Sequence, residues 1–363
     1  MINLFSVNMD DSDAMTEPLL ATLYGGQITQ GPKVDEFEQA LISVTGNPFT
    51  ATVNSGTSAL TLAVRLCDAG PGDEVISTPM TCSATNEAIL ASGATIVWAD
   101  VDRYSGLIDP LSVGVKLTPN TKAIMAVDWG GAPCDYDLLR QVAPHVPIIA
   151  DAAHALGSTY KGRSVGTLAD YTCFSFQAIK HLTTVDGGAI TCSDAESYQR
   201  AKRLRWFGID REIFTDFRGG IDIPEWGYKM HMNDVTAQIG LVNLHNKLPG
   251  TLKRHREISR RYHKEFNPLF VNTWPDYEHD STAWLYTMLV ADPDKFKRVL
   301  GSHDIATSKV HARNDNFACF ASSKTHLPGL DSFSERMICI PINAAMTDSD
   351  VDKIIEVVKN YEH

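Results

Sequence analysis

The chain lacks the signatures by which many nucleotide- and metal-binding proteins can be read. No G-x-G-x-x-G follows a β-prone run and no G-x-x-x-x-G-K-[ST] occurs anywhere, so the two commonest nucleotide loops are absent. The seven cysteines (67, 82, 134, 173, 192, 319 and 339) include no C-x-x-C pair, and their odd number suits reduced thiols better than a disulfide framework. No metal site is assigned. Positive charge is scarce: 32 Lys and Arg against 44 Asp and Glu give a net charge of -12. That balance argues against a general nucleic-acid binder, whose phosphate contacts need a basic surface. No apolar run approaches membrane-spanning length, and the opening "MINLFSVNMDDSD" turns acidic before any stretch long enough for a signal peptide. The expectation is a soluble, cytoplasmic protein with neither nucleic acid nor membrane as a partner. There is also no internal repeat, low-complexity segment or linker rich in Gly, Pro or Ser.

What is present is enough for a large core: 363 residues, 44% of them hydrophobic, predict one large and one smaller domain. Between about residues 50 and 195, short apolar runs alternate with helical stretches. "DEVIST", "ATIVWADV", "TKAIMAVDW", "VPIIAD", "YTCFSF" and "GAITC" are the strand candidates. Continuous apolar strands alternating with helices predict a largely parallel sheet covered on both faces. After residue 233 the pattern changes. "NDVTAQIGLVNL" has helical spacing, a long polar helix follows through the 250s and 260s, and "WLYTMLVAD" reads as a strand. "TDSDVDKIIEVVKNY" closes the chain with a Thr347 to Asp350 capping pattern and an apolar stripe at Val351, Ile354, Ile355 and Val358. The predicted division is 1–245 for the N-terminal segment and large domain and 246–363 for the small domain.

Three stretches of the large domain carry chemistry. In "VNSGTSALTLAVRLCDAG" a strand end runs through Ser55-Gly56-Thr57-Ser58 into a helix. Glycine lets backbone approach a ligand, and the helix start presents unpaired N–H groups beside two hydroxyls, which suits a phosphate. Taken alone, an ordinary Ser/Thr cap is the more economical reading. In "VPIIADAAHALGS" an apolar strand ends in Asp151, with His154 three residues on; a carboxylate at a parallel strand's carboxyl end lies where open α/β sheets place ligands, or it caps the next turn. In "FSFQAIKHLTTVDGGAI" the single lysine, Lys180, follows a strand, and Ser175 offers another phosphate donor. Lone lysines are usually solvated, so the weight comes from the combination. Phosphate cradle, strand-end Asp and loop Lys, in that order, match pyridoxal phosphate: its aldehyde needs an amine for a Schiff base, and its pyridine nitrogen needs a carboxylate that keeps it protonated.

The residues then become specific to a family. "GGQITQGPKVDEFE" (25–38), "NSGTSAL" (54–60), "GDEVISTPMTCSAT" (72–85), "ADAAHALGS" (150–158), "FSFQAIKHLTTVDGG" (174–188), "RLRWFGIDR" (203–211) and "WGYKMHMNDVTAQIGL" (226–241) resemble the fold-type I PLP-dependent nucleotide-sugar aminotransferases of the DegT/DnrJ/StrS group. The resemblance implies an α/β fold-type I PLP-transferase, with a mostly parallel seven-stranded sheet between helices and a smaller C-terminal α/β domain. It implies pyridoxal 5'-phosphate as cofactor, with Lys180 bonded to it and later moving a proton. Asp151 would pair with the pyridine nitrogen, His154 would sit against the ring or its hydroxyl, and Gly56, Thr57 and Ser175 would hold the phosphate. It implies transfer of an amino group from glutamate to a nucleoside-diphosphate keto-sugar, aminated at C3 or C4, for surface polysaccharide or secondary-metabolite glycosylation. For that role Lys180 needs a lowered pKa.

Two positions depart from the family pattern. Cys82 stands where an aromatic usually stacks on the cofactor, and Lys229 stands where "GYN" has asparagine, on a loop that in the family reaches the partner's site in a homodimer. Gln27, Ile28 and Thr29 are expected to line the sugar cleft. His311 and Arg313 of "VHARND", with Lys202, Arg203, Arg205, Arg211 and Arg218, are the candidate cations for the diphosphate. Two other functions fit the same fold. A sugar dehydratase would carry histidine in place of Lys180; a non-catalytic regulator would have no need of Lys180, Asp151 and Ser175 together.

Overall fold

In the computed structural model the described residues are 1–213, 222–266, 271–272, 280–323 and 325–361. Arg218 lies outside them. The strands, in chain order, are β1 (Thr50–Val53), β2 (Glu74–Ser77), β3 (Thr95–Trp98), β4 (Thr121–Val127), β5 (Ile148–Asp151), β6 (Thr159–Tyr160), β7 (Arg163–Ser164), β8 (Tyr171–Ser175), β9 (Gly188–Cys192), β10 (Val271–Asn272), β11 (Tyr286–Leu289) and β12 (Met337–Ile340). Seven form one sheet in the order β1-β9-β8-β5-β4-β2-β3. Only β9 runs against its neighbours, pairing antiparallel with β1 and β8, while β8, β5, β4, β2 and β3 pair in parallel. The apolar runs of β4 and β5 are buried throughout their central residues, as strands covered on both faces must be.

This topology decides where chemistry can occur. Because β1, β2, β4, β5 and β8 point the same way, the loops after them all open on one edge of the sheet. Ser55, Cys82, Asp128, Asp151 and Ser175 therefore reach that edge from distant parts of the chain.

The remaining larger sheet is three antiparallel strands, β10-β11-β12. Side chains alternate across it with period two. Tyr286, Met288, Ile338 and Ile340 join a C-terminal core with Ile258, Tyr262, Phe296 and Ile354, whereas Leu285, Leu289, Met337 and Cys339 join the core of the large sheet. The small sheet is thus apolar on both faces, and the residues after 246 contribute to both cores. The Leu248–Phe266 and Asp348–Lys359 helices flank the C-terminal core. The latter begins with the expected capping box, the Thr347 hydroxyl accepting from the Asp350 N–H while the Asp350 carboxylate accepts from the Thr347 N–H.

Candidate active site

A cavity of about 460 Å³ opens at the carboxyl edge of the large sheet. Gly56, Thr57, Cys82, Asp151, His154, Ser175, Lys180 and His311 all line it, so eight of the predicted site residues converge.

One end is built by the Gly56–Leu66 helix. Ser55 caps it, its hydroxyl accepting from the Ser58 N–H at 3.1 Å, and the Ser58 hydroxyl in turn donates to the Asn54 side chain at 2.6 Å. Among the described residues no acceptor faces the N–H groups of Gly56 or Thr57. The helix start lies close to the sheet because two glycines permit it. A Cβ at Gly188 would meet backbone atoms of Ser55, Gly56 and Phe174 at 2.6 to 2.7 Å, and one at Gly56 would meet the Ser175 Cβ at 2.9 Å. Free amides, a helix N-terminus and the Ser175 hydroxyl form a cradle for an anion.

Asp151 ends β5, buried, with one carboxylate oxygen accepting from the Thr85 hydroxyl at 2.6 Å and the other from the Ala153 N–H at 3.2 Å. Burial raises its carboxyl above the usual range, and the Thr85 and Ala153 bonds and the Lys180 charge only partly offset this. A buried carboxylate without a cationic hydrogen-bond partner is poised to receive one. His154 is also buried. The Gly130 N–H donates to its Nδ1 at 3.3 Å, which places the ring proton on Nε2, and burial together with the Lys180 charge holds it neutral.

Lys180 sits on the turn after β8, where its own N–H donates to the Gln177 carbonyl at 2.9 Å and the Thr184 N–H to the Phe176 carbonyl at 2.9 Å. Burial pushes its amine down to about 8, against the opposing pull of Asp151 and Cys82. His311 is held near 4 by burial and the Lys180 charge, and its Nε2 is buried with no hydrogen-bond partner among the described residues.

The other predicted residues are elsewhere. Gln27, Ile28 and Thr29 are exposed and do not line this cavity; their segment is tied to the "HMND" stretch, the Asp234 N–H donating to the Thr29 carbonyl at 2.9 Å and the Gly31 N–H to the Asp234 carboxylate at 2.7 Å. Lys229 is exposed too, its backbone carbonyl accepting from the Asn54 side chain at 3.4 Å beside the cradle. Arg313 does not reach the cavity. Its guanidinium is bidentate on Asp315, at 2.7 and 2.8 Å, and also binds Asp331, so its charge is already matched. Arg205 is likewise committed, buried against Glu38 and the Thr52 carbonyl, and Lys202 pairs with Glu212. Arg211 lies over the Trp206 ring at 4.8 Å with Nη2 donating to the Gln30 carbonyl.

Thr85 and Trp284 are among the lining residues that the sequence did not single out. Thr85 holds Asp151 but reads as an ordinary first-turn helix residue, and Trp284 lies beside Lys180 but reads as the start of a core strand. Cys82, exposed, occupies the N-cap position of the Ser83–Ser92 helix and borders the cavity.

An acceptor-free cradle, a buried carboxylate and an amine of lowered pKa in one cavity fit pyridoxal phosphate at its phosphate, ring nitrogen and aldehyde, on a fold-type I transferase scaffold. The chain belongs to the DegT/DnrJ/EryC1/StrS aminotransferase family, whose model matches residues 10–359, and the members of that family are PLP-dependent sugar aminotransferases. It is 34% identical over 358 residues to the spore coat polysaccharide biosynthesis protein SpsC of Bacillus subtilis, covering 93% of this chain and 92% of that one. The sugar aminotransferase CalS13 from Micromonospora echinospora superposes with a TM-score of 0.95 at 37% identity over the full length of both chains. The PLP-form structure of Spr1654 from Streptococcus pneumoniae does so at 0.90 and 31%, covering 99% and 98%.

Proposed function

We propose that this sugar aminotransferase moves the amino group of glutamate to a 3-keto or 4-keto sugar carried on a nucleoside diphosphate, and that Lys180, Asp151 and His154 carry the chemistry. The observation that carries the reading is the meeting of Lys180, Asp151 and the Gly56–Thr57 cradle in one cavity. Bound pyridoxal phosphate supplies an electron sink for negative charge on the substrate carbon. Gly56 and Thr57 N–H groups and the Ser175 hydroxyl hold its phosphate. The Asp151 carboxylate keeps a proton on the ring nitrogen; the pairing offsets the burial that raises its carboxyl. His154, with its proton on Nε2, would sit against the ring or its hydroxyl. Nζ of Lys180 takes and returns the proton at the substrate carbon; at an amine pKa of about 8, roughly a tenth is neutral at pH 7, against less than about 0.1% for an ordinary lysine.

The active unit is a homodimer with shared sites. Lys229, Gln27, Ile28 and Thr29 are exposed and away from their own chain's cavity, which supports assigning them to a second copy's cleft. His311 is the sugar-side donor within the chain. The product feeds polysaccharide or secondary-metabolite glycosylation, in keeping with the name of the SpsC relative. The test is a screen of UDP-, GDP- and dTDP-linked 3-keto and 4-keto sugars with glutamate, read by mass. The reading fails if no sugar is aminated while glutamate leaves the absorbance of the bound cofactor unchanged.

A further inference from the structure

Trp284, only 2% exposed, precedes β11 and projects into the back of the cavity. Nζ of Lys180 lies 3.7 Å from the centroid of its ring. The same ring stacks on His154 at 3.9 Å with 21° between planes, and on Phe5 at 4.9 Å with 22°. Its indole N–H donates to the carbonyl of Ile179 at 3.0 Å, the peptide immediately before Lys180. The indole therefore touches three parts of the site at once: the amine, the backbone that carries it and the histidine beside it.

Among the described residues, Lys180 Nζ makes no hydrogen bond, and the influences on its charge are burial, Asp151 and Cys82. The titratable groups facing the amine are Asp151 and Cys82, which favour its charge, and His154, His181 and His311, for which its charge is unfavourable. All three histidines are held neutral by burial. The amine lies over the aromatic face of Trp284, whose quadrupole attracts an ammonium most strongly where water is excluded.

We propose that Trp284 is a positioning residue for Lys180, its indole face being the resting place of the amine whenever the lysine is not bonded to cofactor. A lysine has four rotatable side-chain bonds, and a fixed aromatic floor removes most of the alternatives it would otherwise sample between bond-breaking and bond-making. Trp284 stands two residues before β11, the strand shared by both cores, so the amine's position depends on how that small sheet is seated. The inference builds on Lys180 as the proton-carrying amine of the proposed function, yet it concerns the free lysine and is read without turnover.

The experiment uses the full-length protein freed of cofactor, with lysine ¹³C-labelled at Cε and the Lys180 resonance identified by its loss in Lys180→Ala. In the wild type, the Cε-bound protons should be displaced upfield by the ring current of the indole; random-coil positions would overturn the proposal without any mutation at Trp284. Trp284→Leu keeps the site apolar but removes the aromatic face, and the Lys180 midpoint should fall by about 0.5 to 1.5 pH units. Trp284→Phe keeps a face and should restore most of that difference, while also slowing pyridoxal phosphate capture less than Trp284→Leu does. If the two variants titrate alike, or if Trp284→Leu leaves or raises the midpoint, Trp284 is packing only. Were Lys180→Ala still to transaminate, the proposed function would fall while these titrations stood.

Discussion

Gly188 opens β9 against the start of the cradle helix, and Gly188→Ala tests whether that close approach is what holds the phosphate. An alanine Cβ would lie 2.6 Å from the Ser55 carbonyl carbon, 2.7 Å from the Gly56 nitrogen and 2.7 Å from the Phe174 carbonyl oxygen. All three are backbone, so no rotamer change relieves them, and the helix start must move away from the sheet by several tenths of an ångström. Overpacking of this kind costs about 1 to 3 kcal/mol of stability. The same movement takes the Gly56 and Thr57 amides away from the anion. Losing one good hydrogen bond to a charged group costs about 1.5 to 3 kcal/mol, or roughly 10- to 100-fold in affinity. Pyridoxal phosphate titration followed by quenching of intrinsic fluorescence gives the affinity, and thermal unfolding of the cofactor-free protein gives the stability. The expected result is weak cofactor binding in a folded protein with a lower midpoint. A variant that binds within twofold of wild type and unfolds at the same temperature would refute the cradle.

Lys180→Ala should abolish transamination and leave the fold intact, because this loop lysine belongs to neither apolar core; wild-type turnover would remove Lys180 from the chemistry. Asp151→Asn should bind cofactor yet lower the rate by orders of magnitude, and a rate within a few-fold of wild type would leave Asp151 as no more than a partner of Thr85 and Ala153. Cys82→Phe should tighten pyridoxal phosphate binding by about 0.5 to 1.5 kcal/mol if this position faces the ring; unchanged affinity would place the thiol to one side. Chains carrying Lys180→Ala and Lys229→Ala, each poorly active alone, should regain activity on subunit exchange, since one of the two sites in a mixed dimer escapes both lesions. If exchange is shown by tagged pull-down and activity stays absent, Lys229 serves its own chain's site or only the fold.

Local sequence determined the parts of this protein. Apolar run length set β2, β3, β4, β5, β8 and β9, capping residues set the helix starts, and the Ser55-Gly56-Thr57 cradle, Asp151 and Lys180 were legible because each stands at a strand end, where chain order and residue type suffice. β12 was not legible, since a four-residue apolar run between a helix and a loop has no periodicity to distinguish it. The availability of charges was also hidden. Arg313, Arg205 and Arg211 look alike in sequence, and only folding shows that the first is matched by Asp315 and Asp331, the second is buried on Glu38 and the third lies over Trp206. Thr85 and Trp284 belong to the same class. Their roles depend on which atoms meet across separations of 66 residues, from Thr85 to Asp151, and 105, from Ile179 to Trp284, and no local pattern encodes such a meeting. Residue types fix which groups could do chemistry; the parallel sheet, by bringing five strand ends to one edge, decides which of them share a cavity and which are neutralised before they can.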